Sequence, residues 1–353
     1  MEYGETMENI EAAALPHEIT TFNITMTAIS AFMRCIAVIM NWCLAYDYWL
    51  TESYAYCSWT ILSILLPMIL TSLIYSNVLI VSSLGKKPLI YTDLFWKLVL
   101  SYLFRDAHTL NWAFKYNDAK KRVDKVAEIE CYRRHLKEEC NVGFIRLFDL
   151  FLETAPQKIL QLAIVLRYVK SLTYLRALTF LIYFISIAYC LVAYNRSNRL
   201  VQLDKYDIGT KGLVVQFWFL LCLSSSRTTC IAYMASIYPT ETCAACCLHV
   251  LVCANVVFVL DTPKFGICAF LNYILCLGFG VVYVFIFTPV SDAPTKYKYS
   301  IYLSFCFLQN LVVCIIWIPL QISVLINVLY MTGILLMIYY YLKCHPGITS
   351  AIF

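Results

Sequence analysis

Ten apolar runs follow one another along this chain, at about 27–50, 57–83, 93–114, 142–170, 172–194, 212–238, 243–260, 266–289, 301–319 and 321–342. Most reach the roughly 20 residues that a helix needs to cross a hydrocarbon layer. A backbone in lipid has no water to bond, so runs of this length fold as helices. The chain is 61% hydrophobic and 14% charged, with a mean hydropathy of +0.71. A soluble domain has about 45–50% apolar and about 25% charged residues, so that class is excluded. The first run begins near Thr27, after a polar, mildly acidic tail, and carries Arg34. A retained helix fits it better than a cleavable signal. The 17 cysteines lie almost entirely inside apolar runs, where Cys serves as a small hydrophobe.

One run departs from this pattern. Between Arg146 and Leu162 it carries Arg146, Asp149, Glu153, Gln157 and Gln161, at steps of three and four. On a regular helix these form one polar stripe. Pro156 sits inside it, removes a backbone donor and crowds the carbonyl of Leu152, so a kink or break is expected there. Ionisable groups at membrane depth face a water-filled path or a buried partner. A network of structural ion pairs is the competing reading. In the first run Ser30, Arg34 and Asn41 share a face, and Asp47 lies thirteen residues beyond Arg34. That is about 20 Å along a helix, too far for the two to pair.

Lys and Arg place the loops at 84–92, 115–141, 195–211 and 290–300 on the cytoplasmic side. The segment 115–141 alternates its charges at helical spacing and reads as a solvated helix. The loop assignments agree only if the third run (93–114) and the eighth (266–289) fail to cross. The expected fold is therefore an all-α membrane protein with about eight transmembrane and two half-membrane helices. Both termini are cytoplasmic, and two pseudo-symmetric repeats each hold five segments. The expected divisions are a tail (1–26), a first repeat (27–194), a linker (195–211), a second repeat (212–342) and a short tail (343–353). Phe151-Leu152-Glu153-Thr154 resembles Phe307-Leu308-Gln309-Asn310, each in the fourth segment of its half. Arg34 precedes Asp47 by thirteen residues, and Arg227 precedes Glu241 by fourteen. Repeats with polar groups near the midplane are a transporter-like plan.

Other constellations are weak. Cys243, Cys246, Cys247 and His249 have metal-like spacing but no convincing second pair, and packing or acylation is the preferred reading. No Gly-rich phosphate loop, Ser-His-Asp spacing or zinc-binding His-Glu motif is present. No enzyme chemistry, cofactor, metal or nucleic-acid partner is expected.

Several stretches together resemble the XK-related membrane protein family. They are Arg146–Leu162, Ala193–Leu200 leading to Leu223-Ser-Ser-Ser-Arg227, Gly280–Phe287, and Leu308–Trp317 with Tyr340–Pro346, in the family's order over about 27–346. The resemblance implies the eight-plus-two helix fold. It also implies that the chain moves phospholipids between leaflets, including phosphatidylserine during apoptosis, at the plasma membrane. Other members are membrane partners of lipid-transfer proteins or of an ectopeptidase, so a cytosolic lipid-transfer protein or an accessory membrane subunit is a second candidate partner. By matching position, Arg34, Asp47, Asp149, Glu153, Arg227 and Glu241 are implied to guide headgroups. Gln309 departs from the pattern, since the family more often has an acid there. Caspases cut after Asp, and the first and last Asp of the chain are Asp47 and Asp292, so neither tail offers a site.

Three functions remain open: a scramblase, a binding subunit without lipid activity, and a small-solute secondary transporter. For a scramblase, Arg34 and Arg227 suit the phosphate through charge-assisted contacts, and the carboxylates suit the amine of the headgroup.

Overall fold

The computed structural model describes residues 19–82, 106–167, 174–202, 207–261, 269–289 and 296–346. The expected turn at Lys86-Lys87-Pro88, most of the third run (93–105) and the outer parts of both tails lie outside them. The described residues form helices with no strand. In chain order these are α1 (Thr21–Leu50), α2 (Tyr54–Ser82), α3 (Ala107–Lys121), α4 (Lys125–Asp149), α5 (Ala155–Arg167) and α6 (Tyr174–Leu200). Then come α7 (Thr210–Ile237), α8 (Pro239–Val256), α9 (Ala269–Phe285), α10 (Lys296–Ile316) and α11 (Leu320–Tyr339). Wider π turns extend three of them, at Leu150–Thr154, Val257–Asp261 and Tyr340–Cys344.

Among the described residues, seven stretches are long and apolar enough to cross a membrane, within α1, α2, α6, α7, α8, α10 and α11. The chain is a multi-pass, all-α membrane protein. The charged run α4–α5 is not among these seven. Helix α9 is a shorter apolar helix, about 25 Å at ~1.5 Å per residue. It ends at Phe285, and residues 286–289 leave it without helical structure while remaining inside the protein.

The helices are not equally enclosed. In the apolar window of α7, 61% of residues are buried, whereas α1 has only 6%. Helix α7 is thus the central post, packed on α5, α6 and α11. Ser226 Oγ donates across to the Ile326 carbonyl of α11 at 2.7 Å. Small residues allow such approaches. At Gly333 on α11 an added Cβ would meet Leu223 at 2.8 Å, and at Gly280 on α9 it would meet the Val250 carbonyl of α8 at 2.5 Å. Lipid-facing α1 contacts α2 and the α3 helix outside the bundle, and exposes Ile29, Phe32, Met33, Ile39 and Met40.

The segment 115–141 is not one solvated helix. Helices α3 and α4 fold back on each other through Arg122-Val123-Asp124. Asp124 caps α4 by accepting from the Ala127 amide at 3.1 Å, and its own backbone is extended. A cap of this kind starts a new helix. Helix α3 also begins at Ala107 and runs through the expected division at 114/115. The linker starts later than expected, because Asn195–Leu200 belongs to α6. Arg196, near the end of that helix, pairs with Asp207 through two hydrogen bonds of 3.1 and 2.8 Å.

Candidate functional site

The two arginines that the sequence singles out both enter the bundle, one in each half. Arg34 reaches from peripheral α1 to the π turn, where its Nη2 donates to Glu153 Oε2 at 3.0 Å and lies 3.6 Å from Asp149 Oδ1. Asn41 Nδ2 donates to the other Glu153 oxygen at 2.6 Å. Glu153 is 1% exposed, so both of its oxygens are engaged in a dry setting. The π turn builds this arrangement. Pro156 has no amide hydrogen to bond the Leu152 carbonyl, and Ala155 N–H reaches back to Leu150 O, five residues away. The expected irregularity thus falls at Leu150–Thr154, just before Pro156. The Pro156 carbonyl accepts from Trp59 Nε1 of α2 at 3.3 Å.

The extra residue of a π turn rotates the helix beyond it. Gln157 and Gln161, beyond the turn, are re-aimed, and the five-residue polar stripe does not meet one common partner. Arg146, ahead of the turn, forms an ion pair with buried Asp106 beside α3. Asp149 and Glu153 face Arg34. Gln157 is buried, and its Nε2 has no hydrogen-bond partner among the described residues. Gln161 accepts from Lys158 Nζ at 3.0 Å. Asp47 stands apart, exposed near the far end of α1, with no side-chain bond among the described residues.

Arg227 occupies the matching place in the second half. It is 7% exposed at the middle of α7. Its Nη1 donates to Asn310 Oδ1 at 2.7 Å, its Nη2 to Gln309 Oε1, and its Nε to the Val284 carbonyl at 2.9 Å. The two copies of the Phe-Leu-x-x pattern therefore do the same thing: each presents its third residue to an arginine from the first segment of its half. The chemistry differs, because Arg227 meets amides. No ion pair joins it to a carboxylate among the described residues.

Its charge is offset by a helix end. Helix α9 stops inside the protein, so its last carbonyls have no intrahelical donor and carry the negative end of the helix dipole. Arg227 takes the Val284 carbonyl. The Tyr283 carbonyl accepts from His249 Nε2 of α8 at 3.0 Å and from Tyr302 Oη of α10 at 2.8 Å. His249 therefore carries its proton on Nε2, and its buried Nδ1 has no partner among the described residues. Sequence reasoning takes the eighth run, 266–289, as a half-membrane helix but misses its end at Phe285 and its three side-chain caps. Asn310 and His249 stand out in the sequence only as parts of other patterns.

Beside Arg227 lies a cavity of about 710 Å³ between α7, α8 and α10. Arg227, Gln309 and His249 line one region of it, and Glu241, Trp317 and Leu308 line others. Arg227 and Met234, also in the lining, are seven residues apart on α7, so the cavity follows the helix for about 10 Å. Its surface is mostly apolar, with one cation, the buried Arg227 guanidinium, and one carboxylate, Glu241, in the lining. Glu241 is exposed, in the first turn of α8. The cysteine group does not converge: Cys243 and Cys247 are exposed on α8 while His249 turns inward. Among the described residues no three His, Cys, Asp or Glu are placed to hold a metal.

The site can therefore attract an anion at one arginine and hold the other arginine in a closed ion pair. Residues 25–346 match the model of the XK-related protein family. Cell death abnormality protein 8 of Caenorhabditis elegans is 26% identical over 277 residues, which cover 72% of this chain and 57% of that protein. Its namesake in Caenorhabditis briggsae is 25% identical over 256 residues, covering 67% of this chain and 55% of that protein. The chain thus spans little more than half the length of these curated relatives. With the family match running through nearly all the described helices, the chain belongs to the XK-related protein family.

Proposed function

We propose that this protein is a phospholipid scramblase, acting without fuel or nucleophile, that passes headgroups across the bilayer beside α7. The observation that carries this is the cavity at Arg227, an apolar space at membrane depth with a buried guanidinium bonded to two amides and a backbone carbonyl, all neutral. A phosphate arriving there gains a charge-assisted contact without displacing a carboxylate. Amides bind more weakly than an acid, so the exchange stays reversible, as conduction through staged sites requires. Glu241 is suited to the amine of the same headgroup. Phosphatidylserine exposure during cell death is the physiological reading, supported by the names of the two nematode relatives and by the family. The plasma membrane, with both termini cytoplasmic, is the matching location.

Arg34, Asp149 and Glu153 take a different part in this proposal. Paired and buried, they hold the peripheral helix α1 to the bundle, and lipid meets them only if α1 moves away. Asp47, exposed at the end of α1, lies outside the cavity.

The test is scrambling by purified protein in sealed liposomes that carry a fluorescent phospholipid, with a quencher added outside. Loss of clearly more than half the signal supports the proposal, and Arg227→Ala then slows the exchange in folded protein. Loss of only half means that lipid is not moved unaided. That result favours a subunit that binds a lipid-transfer protein. Ion-coupled solute uptake in the same liposomes would instead identify a secondary transporter.

A further inference from the structure

Outside the bundle, the α3–α4 hairpin has its own small core of Ala113, Tyr116 and Tyr132, and Ile19 completes it at 7% exposed. The chain leading into α1 is therefore fixed to the hairpin, on the same side of the bundle. The eighteen residues before Ile19 contain five Glu (Glu2, Glu5, Glu8, Glu11 and Glu18) and no Lys or Arg.

The hairpin tip has the opposite character. Lys121, Arg122 and Lys125 are exposed around Val123, with Lys120 beside them. Of the acids nearby, Asp124 caps α4 and Glu128 pairs with Lys125 at 3.2 Å, which leaves the cations in excess around Val123. Val123 is 76% exposed and has a φ of 60°, in the left-handed region. A β-branched residue is a genuine outlier there. The turn thus keeps a strained backbone and displays an apolar side chain ringed by cations.

We propose that the acidic segment 1–18 docks on this basic tip, with its glutamates on the cations and an apolar side chain such as Ile10 or Leu15 over Val123. The reach is sufficient. Ala113, next to Ile19, is ten residues from Val123, about 15 Å along α3. Eighteen residues span up to about 60 Å extended and about 27 Å as a helix. The tether keeps the local concentration high, so modest attraction suffices. Anionic lipid is the competing occupant, and the test below separates the two.

The test places a photo-reactive benzoylphenylalanine at position 10 of the full chain, in nanodiscs of phosphatidylcholine alone. The expected result is a cross-link to a peptide within 115–130. It falls at least fivefold in a Glu2, Glu5, Glu8 and Glu11→Lys variant, falls in ~0.5 M salt as screening shortens, and returns when Lys121 and Lys125→Glu are added. An unchanged melting temperature shows that the fold is intact throughout. Cross-links elsewhere, or a tip cross-link indifferent to the charge changes, overturn the proposal. Dependence on added phosphatidylserine also overturns it, in favour of a lipid occupant.

Discussion

The two halves place an arginine at corresponding points and neutralise it in different ways. In the first, Arg34 comes from an exposed helix and meets Glu153, Asp149 and Asn41. In the second, Arg227 stands on the most enclosed helix and meets Gln309, Asn310 and the carbonyl end of α9. A buried ion pair is costly to open, because either partner alone is a stranded charge. An arginine held by amides and a helix end keeps attraction to spare for an arriving anion. Under the proposed function, one half serves as a fastening and the other as a receptor.

The sharpest way to break that contrast is to remove an acid from the fastening. Glu153→Leu leaves Arg34 without its main counter-charge, and a loss of about 3–5 kcal/mol is expected. Thermal unfolding in detergent checks it. Adding Arg34→Met should recover only part of the loss, since the cation is then gone but buried Asp149 loses its arginine. A fully stable single variant would mean that the ion pair is not what holds α1.

The receptor can be turned into a fastening. Gln309→Glu gives Arg227 a carboxylate, which competes with phosphate. Lipid exchange in liposomes is expected to slow about tenfold, equivalent to about 1.4 kcal/mol, with thermal stability retained or raised. Unaltered exchange would place the lipid path elsewhere. Helix contact is probed by Gly280→Ala. Its Cβ would meet the Val250 backbone oxygen at 2.5 Å, so α8 and α9 must part, at a cost of about 1–3 kcal/mol. Because α9 supplies the Val284 carbonyl, this variant should also slow lipid exchange, whereas Asp124→Ala should not. The latter removes only the α4 cap and should cost about 1 kcal/mol, read as faster hydrogen exchange in the hairpin.

Much of the site is legible in the sequence because charge at membrane depth is conspicuous. Glu153, Arg34 and Arg227 stand out in apolar runs, and the Phe-Leu-x-x likeness marks Gln309 as the counterpart of Glu153. The stripe from Arg146 to Gln161 is legible as a set of polar residues but not as one face. Its spacing assumes a regular helix, whereas the π turn before Pro156 re-aims Gln157 and Gln161, and Arg146 turns to Asp106 beside α3. Nothing in the periodicity of 115–141 reveals a reversal, since Val123 is no turn former and the charges continue on both sides.

The sequence determined that this chain is helical and membrane-embedded, because apolar runs of such length leave the backbone no other way to bond itself in lipid. It also determined which few residues are too costly at that depth to lack a partner. Only the tertiary structure decided the partners. Arg34 bonds across 119 positions to Glu153, and Arg227 across 57 to the Val284 carbonyl. Local spacing carries no information about such distances. That helix α9 ends inside the protein, with its negative end against Arg227, is a consequence of packing and not of composition.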